Sequence, residues 1–193
     1  MPLFRLLAVV LSVSTLAFAA AGCGGGGTSY SGTKPETWSA SVCGALNTWA
    51  TSLKAGSQSL STDLRNSKDL KSVKARFIVF LKDAERSTET MVNDVKAAGA
   101  PAVKDGKAIQ SDLENGLTEA RSSFQRAVAD AQKLRTDDPQ AFTTGVTGLG
   151  QQIQQELTTI GQDFNNLSSK YDASDLDKAT SKQAACKPFT SSG

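Results

Sequence analysis

The chain has 193 residues, enough for one domain of common size, and its charge is nearly balanced, with 21 Lys and Arg against 19 Asp and Glu. This balance gives no electrostatic case for a nucleic-acid partner, because such proteins hold nucleic acid with clustered basic surface. The absence of histidine excludes serine-histidine and cysteine-histidine catalysis and removes the commonest ligand of zinc, copper and iron. We therefore expect no enzyme, no metal and no cofactor.

The first residues have the form of a signal peptide. Arg5 precedes an apolar run over residues 6–21, which is interrupted only by Ser12, Ser14 and Thr15 and closes with small residues. A helix that spans a membrane needs about 20 apolar residues, and this run is shorter and broken by hydroxyl groups. An uncleaved anchor is therefore the less favoured alternative.

The end of this run, Ala20-Ala21-Gly22-Cys23, resembles the lipobox of bacterial lipoproteins, with Ala20 where leucine or valine is more usual. The resemblance covers the first two dozen residues. It implies that residues 1–22 are removed as a signal peptide, that Cys23 carries a lipid, and that this lipid holds the protein on the extracytoplasmic face of the cell membrane. In a host with two membranes, the outer membrane is the alternative.

Residues 23–34 are predicted to join this cysteine to a folded body. Gly24-Gly25-Gly26-Gly27 and the Ser, Thr and Gly residues behind it cannot bury surface or hold a regular backbone, which predicts a flexible tether. About ten such residues have a root-mean-square reach of roughly 17 to 19 Å. The tether and the Ala- and Thr-rich remainder also resemble, in composition alone, the small uncharacterised lipoproteins of high-GC Gram-positive bacteria.

Residues 35–189 are predicted to form a helical domain, followed by a disordered tail at 190–193. The first helix should begin at Thr33-Lys34-Pro35-Glu36, which has the form of a capping box, and should weaken at Gly56-Ser57, where an apolar position is missed. Asn66 and Ser67 are expected to cap the second helix, and Gly99-Ala100-Pro101 should end it.

The third and fourth helices follow the same apolar spacing. The third runs from about Val103 to Leu134, and Asp138-Pro139 opens a fourth that reaches Tyr171. A short fifth helix is expected at Ser174-Asp175-Leu176-Asp177; calcium binding by its acidic residues is disfavoured, because an EF-hand glycine and glutamate are missing.

Four helices of matched length joined by short turns predict an all-α, up-down-up-down four-helix bundle. The alternative is a helical hairpin that dimerises. In the bundle, the start of the first helix and the end of the fourth lie together, and an exported chain favours pairing of Cys43 with Cys186. A redox-active pair is disfavoured, because no Cys-x-x-Cys spacing is present.

Two surfaces are candidates for contact. Val79 lies opposite the apolar stripe of the second helix and Ile78 flanks it, so this pair is either a partner surface or is covered by Leu176 or Phe189. A basic set on the same helix could touch anionic headgroups, although a solvated helix face is the favoured interpretation. Its members are Lys68, Lys71, Lys74, Arg76 and Lys82.

Other side chains have a favoured structural interpretation. Gly145, Gly148 and Gly150 weaken the start of the fourth helix unless they allow close packing or line a small cavity, and packing or fraying is favoured. Trp38 and Trp49 are expected in the core, where each indole nitrogen needs an acceptor.

The favoured function is a non-enzymatic, membrane-anchored lipoprotein whose helical body contacts an envelope protein or the cell wall. The second hypothesis is a carrier or sensor that binds a small apolar ligand inside the bundle. The third is a hydrolase that uses carboxylates alone, with Glu114 and Glu119, or Glu156 and Asp163, as the candidate pairs.

Overall fold

The computed structural model describes residues 30–190, and all regular structure in that range is helical. The elements are α1 (Pro35–Asn66), α2 (Leu70–Ala98), α3 (Gly106–Lys133), α4 (Pro139–Lys170), α5 (Ser174–Lys182), a 3-10 turn (Ala184–Cys186) and α6 (Lys187–Thr190). The predicted all-α class and the short fifth helix are confirmed. The predicted signal peptide, Cys23 and the tether up to residue 29 lie outside the described residues, as do residues 191–193 of the predicted tail.

Two helix ends follow the local signals in the sequence. At the start of α4, the Asp138 carboxylate accepts hydrogen bonds from the backbone N–H groups of Gln140 (2.9 Å) and Ala141 (3.0 Å), while Pro139 occupies the first helical position. At the end of α2, Gly99 has a φ of 68°, which glycine adopts without the steric cost of a side chain. Both ends lie where the sequence predicted them.

The predicted caps of α1 and α2 are wrong. Asn66 is the last residue of α1, and the hydroxyl of Ser67 donates to the Asp63 carbonyl (2.8 Å), so both residues finish α1. Asp69 caps α2 instead, and its carboxylate accepts from the backbone N–H of Ser72 at 2.9 Å. Thr33 does not cap α1, because its hydroxyl donates to the Ala98 carbonyl at the end of α2.

Consecutive long helices pack side by side, α1 on α2, α2 on α3 and α3 on α4. The start of α1 lies beside the end of α2, where Thr33 forms a bridge with Pro101. The start of α2 lies beside the end of α3, where the Lys74 ammonium donates to the Gln132 carbonyl at 2.7 Å. The α1–α2 and α2–α3 pairs therefore run antiparallel.

The buried side chains form two clusters along the helices. We call the end with Thr33, the α2–α3 turn and α5 the proximal end, and the end with the α1–α2 and α3–α4 turns the distal end. The proximal cluster includes Trp38, Val42, Val95, Leu113 and Leu176, and the distal cluster includes Phe77, Leu81, Phe124, Ala131 and Leu149.

The gap in the apolar pattern at Gly56 does not interrupt α1. A β-carbon built on Gly56 would lie 3.3 Å from the ring of Phe80 on α2. The missing side chain therefore leaves room for an aromatic ring at the α1–α2 contact, and the helix runs on to Asn66.

The predicted disulfide is confirmed between Cys43 on α1 and Cys186 in the 3-10 turn, with the two Cα atoms 5.0 Å apart. Cys186 is fully buried, and α5 beside it packs Leu176 and Ala179 against the body. The bond joins positions 143 residues apart in the sequence. Of the helices between residues 30 and 190, none is long and apolar enough to span a membrane.

Candidate functional site

The chain enters the body through a short clamp at the proximal end. The backbone N–H of Thr33 donates to the Ala100 carbonyl (2.8 Å), and the N–H of Ala102 donates to the Thr33 carbonyl (2.7 Å). The Thr33 hydroxyl adds a third bond to the Ala98 carbonyl at 2.7 Å, where it satisfies one of the open carbonyls at the end of α2. We call residues 32–33, bound in this way to residues 98–102, the strap.

Glycines make this close approach of three chain segments sterically allowed. Gly32 has a φ of 149°, and a β-carbon on it would lie 2.4 Å from the Ala100 carbonyl oxygen. A β-carbon on Gly106 would lie 2.0 Å from the Pro101 carbonyl oxygen. Both clashes are with backbone atoms. A side chain at Gly32 would therefore push the strap away from the α2–α3 turn, and one at Gly106 would push the start of α3 away from Pro101 in that turn.

A buried polar network lies directly beneath the strap. The indole N–H of Trp38 donates to the Gly99 carbonyl (2.8 Å) and to the side-chain oxygen of Gln110 (2.9 Å). The Gln110 amide in turn donates to the Val95 carbonyl (2.9 Å) and to the Glu114 carboxylate (2.8 Å). Every member has a partner, as buried polar groups require, and the core placement expected for Trp38 is confirmed.

Of the two residues predicted to form a partner surface, only Val79 is open to solvent. Val79 is 54% exposed, whereas Ile78 is half-buried and packs against the distal cluster. The charged neighbours of Val79 one turn away on α2 are Arg76, Lys82 and Asp83, and all three are exposed. The apolar surface is therefore a single side chain inside a charged helix face.

Leu176 does not cover this position, so that alternative is wrong. Leu176 is 5% exposed and belongs to the proximal cluster, where α5 packs on α1. Val79 instead follows the distal-cluster residue Phe77 by two positions on α2. The side chain of Phe189, the other proposed cover, lies outside the described residues.

The basic set predicted to approach headgroups lies toward the distal end, away from the strap. Lys68 and Lys71 are exposed beside the α1–α2 turn. The Lys74 ammonium donates hydrogen bonds to the Gln132 and Leu134 carbonyls at the end of α3, where a cation is favoured. Lys74 therefore has a structural role. Arg76 lies 3.8 Å from Asp63 on α1.

One small depression opens at the α1–α2 seam and has a volume of about 70 Å³. Leu53, Phe80 and Ala84 provide apolar walls, and Ser52, Asp83 and Ser87 surround them with polar groups. Pockets for drug-sized ligands commonly measure about 300 to 1,000 Å³, so this depression has room only for a fragment of such a ligand.

Two of the four carboxylates suggested for hydrolysis, Glu114 and Glu156, are held in other contacts. Glu114 accepts from Gln110, and Glu119 is exposed five residues further along the same helix. Burial acts to raise the pKa of the Glu156 carboxyl, but hydrogen bonds from Ser123, Gln152 and Arg126 outweigh it and lower that pKa. Glu156 therefore carries a charge paired with Arg126 (2.8 Å), which opposes a role as a proton donor. The side chain of Asp163 is not described.

Within residues 30–190, no group of three or more cysteine or acidic side chains is arranged to hold a metal ion. Asp175, one of the acids of α5, lies 3.5 Å from the Lys178 ammonium one turn later. The α5 acids lie at its amino terminus, where negative charge favours the helix.

Sequence reasoning missed the strap and the role of Gln110. The three glycines at positions 32, 99 and 106, which surround Pro101, were the available signal, since glycine is the residue that permits positive φ and close backbone approach. No protein-family model, curated protein or solved structure matches the chain.

Proposed function

We propose that the chain is the precursor of a bacterial lipoprotein, cleaved before Cys23 and anchored through a lipid on that cysteine at the outer face of the cell membrane. The lipobox-like Ala20-Ala21-Gly22-Cys23 carries this proposal. The pairing of the other two cysteines supports it, because a disulfide fits an exported protein and leaves Cys23 as the odd thiol. Two or more acyl chains would anchor the protein stably, whereas one binds only marginally.

In this proposal, the four long helices of the body form an up-down-up-down bundle. The antiparallel neighbours α1–α2 and α2–α3 support it. So does the ion pair between Asp112 near the start of α3 and Lys170 at the end of α4, with a distance of 2.6 Å. Leu53 and Leu60 of α1 and Val146 and Ile153 of α4 all pack against the distal cluster, and this shared core supports the bundle.

The bundle acts by contact, with an envelope protein or the cell wall, and not by catalysis. The exposed face of α2 around Val79 is the contact surface that we propose. It joins an apolar side chain to flanking charges, the combination found where a core anchor and a polar rim meet at protein interfaces. The charge pairing of Glu156 and the small volume of the depression favour this function over a hydrolase or a ligand carrier.

The anchor is tested by replacing Cys23 with serine and following the protein in membrane and soluble fractions of its host. The wild-type protein should be in the membrane fraction, with an acylated Cys23 at its amino terminus by mass spectrometry. The Cys23→Ser protein should lose that modification and be released or remain as uncleaved precursor. An unmodified amino terminus on the wild-type protein would refute the proposal.

The contact surface is tested with a photo-crosslinking residue at position 79 in cells, with Thr147 on the exposed face of α4 as the matched control position. We expect a discrete adduct from position 79 and none from position 147. A Val79→Glu variant should compete poorly for the same partner while keeping its unfolding midpoint, because the side chain is exposed. Equal labelling from both positions would contradict a specific surface at Val79.

A further inference from the structure

The strap determines where the tether leaves the body. Thr33 is bonded on both sides to residues 98–102, so the chain preceding Gly32 departs beside the α2–α3 turn. Eight residues, 24–31, separate the strap from Cys23. Even fully extended, a segment of this length spans at most about 26 to 29 Å.

The distal end is farther from the strap than this reach. The 29 residues of α2 extend about 43 Å at 1.5 Å per residue, and they separate the strap from Lys68 and Lys71. The bundle would have to lie on its side for those lysines to touch the membrane that holds Cys23. The proximal end, by contrast, is within reach in an upright orientation.

The proximal end carries its own exposed lysines around the point where the tether departs. Lys34 follows the strap directly, and Lys104 and Lys107 lie in and just after the α2–α3 turn that holds it. Gly106 packs on Pro101, which keeps these two lysines close to the strap. None of the three has an ion-pair partner among the described residues. Glu36 and Asp105 are the acidic residues nearest to these lysines in the sequence, and α5 brings the exposed Asp175 and Asp177 to the same end.

We propose that this proximal surface faces the bilayer, and that Lys34, Lys104 and Lys107 contact the phosphate groups of anionic lipids. The proposal rests on anchoring at Cys23. Within residues 32–36 and 104–107, three lysines against two acidic residues give a local excess of one positive charge. Each lysine near an anionic leaflet is attracted by its surface potential within about 10 Å, the screening length at moderate ionic strength. The distal end and Val79 are then displayed away from the membrane.

The test uses the chain from Cys23 onward, coupled through the Cys23 thiol to a maleimide lipid in vesicles. Because Cys43 and Cys186 are paired, Cys23 is the one free thiol of this chain. Amine acetylation of each lysine is followed by mass spectrometry on vesicles that contain phosphatidylglycerol and on vesicles of phosphatidylcholine alone. The chemical coupling makes the result independent of natural lipidation, which the Cys23→Ser experiment tests separately.

On phosphatidylglycerol vesicles, acetylation of Lys34, Lys104 and Lys107 should slow by about fivefold relative to the uncoupled protein, while that of Lys68 and Lys71 stays unchanged. On phosphatidylcholine the slowing should largely disappear. A Lys104→Glu, Lys107→Glu variant should lose the slowing at Lys34, and the matched Lys68→Glu, Lys71→Glu variant should keep it. Equal slowing at both ends, no slowing at the proximal end, or equal slowing on both lipids would overturn the proposal.

Discussion

Three glycines near the start of α4 have different surroundings. A β-carbon on Gly145 would lie 2.4 Å from a methyl group of Leu134, so this glycine lets the end of α3 pack closely on α4. Gly148 and Gly150 have nothing within 4 Å of such an atom. The predicted packing role is thus found at Gly145, and the other two positions face open space.

This difference predicts that alanine stabilises the protein more at position 148 than at position 145. Gly148→Ala should stabilise the protein by up to about 1 kcal/mol, because alanine favours the helix and meets no neighbour. Gly145→Ala should gain less or lose stability, since Leu134 must move to make room. Urea unfolding of the two variants measures the difference, and equal gains at both positions would show that Leu134 yields freely.

The two tryptophans differ in what their indole groups satisfy. Replacing Trp38 with Phe removes the indole N–H that donates to the Gly99 carbonyl and to the Gln110 side-chain oxygen. Leaving buried acceptors unpaired lowers the free energy of unfolding by about 1 to 3 kcal/mol. In Trp49→Phe the lost partner, the Thr88 hydroxyl, keeps its own bond to the Ala84 carbonyl at 2.7 Å. We expect the larger loss of stability for Trp38→Phe, measured by circular dichroism in urea.

At the scale of the helix, the end of α4 is joined to α3 by ionisable groups. Asp112 accepts hydrogen bonds from the Lys170 ammonium (2.6 Å) and the Tyr171 hydroxyl (2.9 Å), and in that order these bonds lower the pKa of Asp112. The same contact with Asp112 raises the pKa of Lys170. This contact between α3 and α4 therefore depends on the charged forms of Asp112 and Lys170.

The two pKa shifts give stability a defined dependence on pH. Because the folded pKa of Asp112 is depressed, its contribution is present above the ordinary aspartate value of about 3.9 and is lost as the pH falls through the folded value. The raised pKa of Lys170 gives a contribution that is present below the ordinary lysine value of about 10.4 and is lost as the pH rises through the folded value. Hydrogen exchange near residues 112 and 170 should accelerate relative to the rest of the chain at low pH, after correction for intrinsic rates. In an Asp112→Asn variant, this acceleration at low pH should be absent. If the variant accelerated at low pH as the wild-type protein does, the assignment to Asp112 would be contradicted.

Helix ends show which parts of the fold could be predicted from the sequence. The Asp138 carboxylate bonds to backbone N–H groups two and three residues later, and Gly99 acts through its own backbone, so local patterns were sufficient for both helix ends. Asp69, by contrast, caps α2 where two other polar residues precede it with similar propensity. Thr33 finds its acceptor on a helix 65 residues away, and no local pattern reports such a contact.

The same distinction holds for the candidate surfaces. The helical period correctly placed Val79 on the exposed side of α2. It could not determine which segment packs over which face, and for that reason Leu176 was expected near Val79 and lies instead in the proximal cluster. The Cys43–Cys186 pairing could be predicted because only two cysteines remain after Cys23 is set aside.

At the scale of the whole molecule, the disulfide holds α5 and the 3-10 turn on α1. In the chain-entropy model, closing a loop of this length removes about 5 kcal/mol of unfolded-chain entropy, and the measured effect of such bonds is typically about 2 to 4 kcal/mol. A Cys43→Ser, Cys186→Ser variant should therefore unfold at a clearly lower urea concentration. Reduction of the wild-type protein should lower its midpoint to a similar degree, and an unchanged midpoint in both cases would show that the helices alone set the stability.

The same bond also makes the greater part of the body a closed covalent ring. Positions 43 and 186 include all of α2, α3 and α4 between them. A protease that cut once in the α2–α3 or α3–α4 turn would open this ring without dividing the molecule, because the two fragments would remain joined through sulfur. Only a cut outside the ring, before Cys43, could separate the helices from whatever the amino terminus is attached to.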